Sequence, residues 1–135
     1  MIEEQYISFE TAKLAKDKSF NKPCLYYYEQ GELFQVPFNS KRQLQFLRNS
    51  ELNPYVEAMS APTQSLLAKW LREEHNMCTE VYSTAYGYIW CICKADNGTD
   101  ILETNFRGPN DGGAFDSYEE AKEDCLINAL KLINN

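Results

Sequence analysis

The sequence predicts an α+β fold: an antiparallel sheet with helices packed on one face, in the order α-ββ-(α)-α-βββ-α. Three observations carry this. Ser8, Ser60 and Ser117 each precede a stretch whose apolar residues recur at helical spacing. Segments rich in Tyr, Phe, Ile and Val follow one another across short turns, as hairpins do. No apolar run reaches the ~18 to 20 residues that a membrane span needs.

Ser8 is the expected N-cap of a first helix that runs from Phe9 to about Lys18, ahead of Asn21 and Pro23. Cys24 to Tyr28 is dense in strand formers, Gln30-Gly31 supplies a turn, and Leu33 to Val36 returns. Pro37 confines the end of that strand to an edge, because it cannot donate to a ladder. Residues 39–59 carry the weakest signal. Leu44, Phe46 and Leu47 suggest a short helix after Ser40, broken at Asn53-Pro54. This stretch is expected to be a linker or mobile insertion in a single domain, between an α-β-hairpin part (1–38) and an α-βββ-α part (60–135).

Ser60 is the expected cap of the next helix. Pro62 would sit in its first turn, Leu67, Trp70 and Leu71 fall at i, i+3, i+4, and Asn76 marks the end. Strands are expected from Met77 to Ser83 and from Tyr88 to Ala95. A third, from Ile101 to Phe106, follows the Asp96-Asn97-Gly98 turn. After a Gly- and Asp-rich loop, Ser117 and Glu120 form a capping box. Ala121, Cys125, Ala129 and Leu132 then line one helical stripe, with Leu126, Leu130 and Ile133 beside it. Ser8 to Lys13 echoes Ser117 to Lys122, which shared helix-start chemistry would explain and, as the alternative, a duplicated helix–hairpin unit.

The 135 residues suit one small domain, and the formal net charge is -7. That charge has an address. Residues 1–60 are nearly balanced, whereas residues 96–124 hold nine acids against Arg107 and Lys122 alone, a net of -7. An acidic chain argues against nucleic acid, whose affinity for proteins comes from Lys and Arg displacing counterions. Five cysteines, an odd count with no C-x-x-C pair, argue against a disulfide framework. Met1 to Tyr6 has neither the positive nor the apolar region of a signal peptide. The expected compartment is a reducing cytoplasm, with no membrane association.

Ser60 to His75, together with Ile7 to Lys13 and Phe115 to Ala121, resembles small uncharacterised proteins of Bacteroidota phages and prophages. The resemblance spans about half the chain. It implies a phage setting, and so the host cytoplasm, but carries over no activity and no functional residue. From residue 61 the order α-β-β-β-α is also similar to the double-stranded-RNA-binding domain, as is the ending Ser117-x-x-Glu120-Ala121-Lys122-x-x-Cys125-x-x-x-Ala129-Leu130. That family places a lysine pair after the serine, where it meets phosphates. Tyr118 and Glu119 stand there in this chain.

Candidate chemistry is sparse. A two-residue turn at Ala85-Tyr86 would set Cys78 opposite Cys93 and Glu80 opposite Cys91, all on one face, a weak candidate for zinc. A three-residue loop using Gly87 is equally compatible and would break that pairing. Packing of the cysteines as small hydrophobes is the simpler reading. His75, the single histidine, suits a helix C-terminus better than a catalytic pair. The acids Asp96, Asp100, Glu103, Asp111 and Asp116 do not follow the EF-hand spacing. Gly108 to Gly113 lacks the Lys of a phosphate loop. No metal and no cofactor is expected.

The aromatic residues are more suggestive. Tyr27 must face away from Tyr26 and Tyr28 on a strand. With Tyr82, Tyr86 and Tyr88 they could build an interface. The leading expectation is a small non-enzymatic interaction protein that binds a protein partner through these tyrosines and the acidic 96–124 surface, with Arg107, Asp111 and Asp116. It would self-associate through a sheet edge or an aromatic patch. The alternative is a small-ligand or nucleotide-sequestering module of phage counter-defence, with Tyr and Trp stacking a base and Arg107 and Lys122 holding phosphate. A cysteine enzyme and a degenerate RNA-binding domain rank below both.

Overall fold

The computed structural model describes residues 4–104 and 107–134. They form an α+β protein in two compact units, divided between Thr63 and Gln64. Each unit carries its own three-stranded antiparallel sheet.

In the first unit, Ser8 opens helix α1 (Phe9–Asp17) as expected, its side chain accepting from the Thr11 N–H at 3.2 Å. Strands β1 (Tyr26–Glu29) and β2 (Glu32–Gln35) pair antiparallel across a two-residue turn. Gln30 and Gly31 both have positive φ there, 53° and 83°, the geometry that matches a twisted hairpin. Strand β3 (Ala58–Ser60) pairs with the other side of β1, giving the order β2-β1-β3. Ile7, Ala12, Ala15, Phe20, Val36, Ala58 and Met59 are buried.

Two expectations fail here. The helix after Ser40 does not form. Leu44 instead bridges to Phe38 and Leu47 to Cys24, and only a short 3-10 turn at Asn49–Glu51 follows. Backbone bonds decide this. Cys24 and Leu47 exchange N–H and carbonyl at 2.9 and 3.1 Å, and Asn49 donates to Phe20 O at 2.7 Å while accepting from the Ser60 N–H. Ser60 is not a helix cap. It ends β3 and is buried, and the following helix starts four residues later.

The second unit has the order α-β-β-β-α. Helix α2 (Gln64–His75) ends at Asn76, whose φ of 54° lets the chain reverse into strand β4 (Met77–Thr84). β4 pairs with β5 (Gly87–Lys94), which pairs with β6 (Asp100–Glu103). The third strand was expected to run to Phe106, which lies outside the described residues. Helix α3 (Tyr118–Lys131) begins at Ser117, whose side chain accepts from the Glu120 N–H at 3.1 Å, half of the expected capping box. Both helices pack on β4, and α3 also covers β5. Ala121, Cys125, Leu126, Ala129 and Leu130 are buried, but Leu132 follows the last helical turn and is exposed.

Candidate functional site

Alternation along β4 and β5 divides the second sheet into two unlike faces. Thr84 pairs with Gly87, so the hairpin turns on Ala85 and Tyr86. This sets Cys78 opposite Cys93 and Glu80 opposite Cys91, the arrangement that a two-residue turn implies. Gly87 lies against the chain before α3: its φ is +134°, and a Cβ there would run into the Phe115 carbonyl oxygen.

One face meets the helices. Met77, Thr79, Trp90 and Ile92 are buried on it. Lys122 of α3 donates from Nζ to Thr79 O at 2.5 Å and to Thr79 Oγ1 at 3.0 Å. Asp124 accepts from Trp90 Nε1 at 2.9 Å, and from Arg107 Nε and Nη2 at 2.7 and 2.8 Å. Tyr88 packs its ring edge-on to Tyr118, with centroids 6.2 Å apart, and its backbone pairs with Phe115.

The other face carries Cys78, Glu80, Tyr82, Ile89, Cys91 and Cys93. Asp100 and Glu103 of β6 join them opposite Cys93 and Cys91. Every one of these side chains is half-buried or exposed, and neither α2 nor α3 covers them. The groups sense one another. A hydrogen bond with the Cys91 thiol, with burial and the charges of Glu103 and Asp100, pushes the Tyr82 hydroxyl up to about 12. Burial, the Cys78 and Cys91 thiols, Glu80 and Asp100 push the Cys93 thiol up. Negative charge on this face disfavours thiolate, the opposite of what a nucleophilic cysteine needs. Among the described residues, no three His, Cys, Asp or Glu side chains come together as a metal ion requires. Cys78, Cys91 and Cys93, the weak zinc candidate, share this face without being gathered into such a group.

The remaining sequence-predicted residues scatter. Tyr26, Tyr27 and Tyr28 lie in the first unit and are half-buried. Tyr26 packs on Tyr6, Tyr28 packs on Phe9 and donates to Ile7 O at 2.8 Å, and Tyr27 faces the other way, stacked on Phe34. Tyr86 is exposed at the hairpin turn, and its carbonyl accepts from Asn110 Nδ2. Asp116 also accepts from Asn110, at 2.8 Å, and Asp111 is exposed in a short 3-10 turn. His75 packs against Trp70 at 4.6 Å between ring centroids. Beside it, an open, mainly apolar pocket of about 340 Å³ is lined by Met77, Ile101, Leu132 and Ile133.

Both bases of the acidic window are engaged inside the unit, Arg107 on Asp124 and Lys122 on Thr79. These are the two residues that the nucleotide reading expects to hold phosphate. Asp96, Asp100, Glu103, Asp111, Asp116, Glu119 and Glu120 are all exposed. The placement of Asp100 and Glu103 on the cysteine face was missed in the sequence, because Asp100 reads there as turn. Plain alternation would put residues three apart on opposite faces, and it is the register shift between Ile92 and Cys93 that brings both acids onto this one.

No family model matches the chain, and searches of curated proteins and of solved structures give no match. Among the described residues, no helix is long and apolar enough to cross a membrane.

Proposed function

We propose that this chain is a small non-enzymatic interaction protein that docks a protein partner of basic surface character on the open face of the second sheet. The observation that carries the reading is the composition of that face. Tyr82, Ile89 and Cys91 form a modestly apolar centre, while Glu80, Asp100 and Glu103 supply an acidic border. An apolar, aromatic centre within a polar rim is how protein interfaces are built. The neighbouring exposed acids extend the negative field, which speeds encounter with a positive partner. The resemblance to phage proteins suggests that the partner belongs to a bacterial host, and the odd set of unpaired cysteines suits its reducing cytoplasm.

The test is charge reversal on the face. Tagged wild type and a Glu80→Lys/Glu103→Lys variant of equal thermal stability are used to capture proteins from a bacterial lysate. The reading expects a basic protein retained by wild type, released by rising salt and lost in the variant. Equal capture by both chains would overturn it.

A further inference from the structure

We infer that Cys78 and Cys93 form a reversible dithiol modification site, oxidised to an intramolecular disulfide by exchange with a low-molecular-weight disulfide. This inference is independent of the docking reading. Its basis is register. The two residues face each other directly across β4 and β5, on the face that the helices leave open. Directly opposed antiparallel residues have Cα atoms about 4.5 or 5.5 Å apart, according to pair type. Both values fall within the ~4.4 to 6.8 Å that a disulfide spans. No strand need move far for the bond to form.

The other thiols fail on geometry or access. Cys91 is on the same face, but it is diagonal to Cys78 and two residues along the same strand from Cys93. Diagonal pairs lie about 7 to 8 Å apart, beyond bridging reach. Cys24 and Cys125 are buried. Burial pushes the Cys24 thiol up to about 11, and pushes the Cys125 thiol up as well. Neither meets a solvent-borne disulfide. The pair at Cys78 and Cys93 is half-buried, open enough for attack and close enough for closure.

The chemistry balances in two exchanges. One thiol of the pair loses its proton and attacks a sulfur of the small disulfide RSSR, giving a protein–SR mixed disulfide and RS⁻, which takes up that proton. The second thiol then loses its proton and attacks the protein sulfur of the mixed disulfide. The new S–S bond joins Cys78 to Cys93, and a second RS⁻ leaves and is protonated. Two protein thiols are oxidised, and RSSR is reduced to two RSH. Burial of Cys93, with the neighbouring thiols and the acids Glu80 and Asp100, disfavours its thiolate and slows the first step.

The test uses the full chain, reduced and then incubated with oxidised glutathione. Intact mass spectrometry and peptide mapping follow, with free thiols blocked. The expected product is a monomer lighter by two hydrogens, with a Cys78–Cys93 linked peptide. It is retained in Cys91→Ser, absent in Cys78→Ser and Cys93→Ser, and reversed by dithiothreitol. Stable glutathione adducts without closure, a link through Cys91, or no reaction would each overturn the proposal. The wild-type map decides between them even where a variant folds poorly.

Discussion

The ammonium of Lys122, in the middle of α3, donates both to the carbonyl and to the hydroxyl of Thr79 on β4, at 2.5 and 3.0 Å. Lys122 is 8% exposed, so a helix that reads as amphipathic carries a charge on its inner side. The bond pins the last helix to the edge strand of its sheet. It also removes from solvent one of the two bases in the acidic window.

Lys122→Ala is expected to destabilise the protein by about 2 to 3 kcal/mol, because it strands the Thr79 groups and loses the packed stem. Lys122→Met keeps the stem and avoids burying a charge, so it should cost less, under about 1.5 kcal/mol. Burial holds the Lys122 ammonium below its usual range. The folded state therefore resists the charge more than the unfolded chain does. That penalty is present at neutral pH and disappears as pH rises toward the ordinary lysine value of about 10.5. Urea unfolding at pH 8 and pH 10.5 should show wild type gaining on Lys122→Met at the higher pH.

Asp124 holds two partners at once, the buried Trp90 indole and the Arg107 guanidinium. Asp124→Ala leaves the Trp90 N–H, in a residue 1% exposed, without its acceptor and should cost about 2 to 3 kcal/mol. Arg107→Ala should cost about 1 kcal/mol or less, since the Arg107 side chain is 43% exposed and the pair is partly screened. Denaturant unfolding followed by tryptophan fluorescence would rank the two. The reverse order would contradict the role given to Asp124.

Stability should also fall in mild alkali through the buried thiols. Burial pushes the Cys24 thiol from its ordinary 9.0 up to about 11 in the folded protein, and raises Cys125 in the same direction. A group whose folded pKa is raised contributes its full stability below the unfolded value and loses it as pH rises through the folded one. The loss due to Cys24 thus begins near pH 9 and levels off above about pH 11. The Lys122 effect runs the other way. Midpoints of urea unfolding from pH 8 to 11 should decline in wild type and decline less in Cys24→Ala.

Strand β2 is the outer strand of its sheet, and all four of its residues are exposed, including Leu33 and Phe34. An unpaired apolar edge is a template for another strand. Multi-angle light scattering is expected to show mass rising with concentration, and Phe34→Lys to suppress the rise. A monomer at every concentration would remove edge pairing from the account.

Local chemistry explains which parts of the fold were legible beforehand. Ser8 and Ser117 cap their helices through bonds to residues three positions on, and Gln30-Gly31 closes a hairpin within four residues. Ser60 shows the limit of that reading. It has the residue type of a cap and a proline two positions on, yet its neighbours complete a third strand against β1, thirty residues away. The stretch around Leu44 and Leu47 fails similarly, since its bonds go to Phe38 and Cys24 and not to its own next turn.

The sequence by itself determined the α+β class, the hairpins, two of three helix starts and the location of the excess negative charge. Each depends on contacts within a few residues or on a simple count. Only the tertiary structure decided that β4 and β5 pair in the register that puts Cys78 beside Cys93. Only there do Asp100 and Glu103 join that face, and only there are Lys122 and Arg107 spent on Thr79 and Asp124. Those facts depend on which strand lies beside which and which helix covers them. Partners on different elements choose one another by packing, and spacing along the chain does not record that choice.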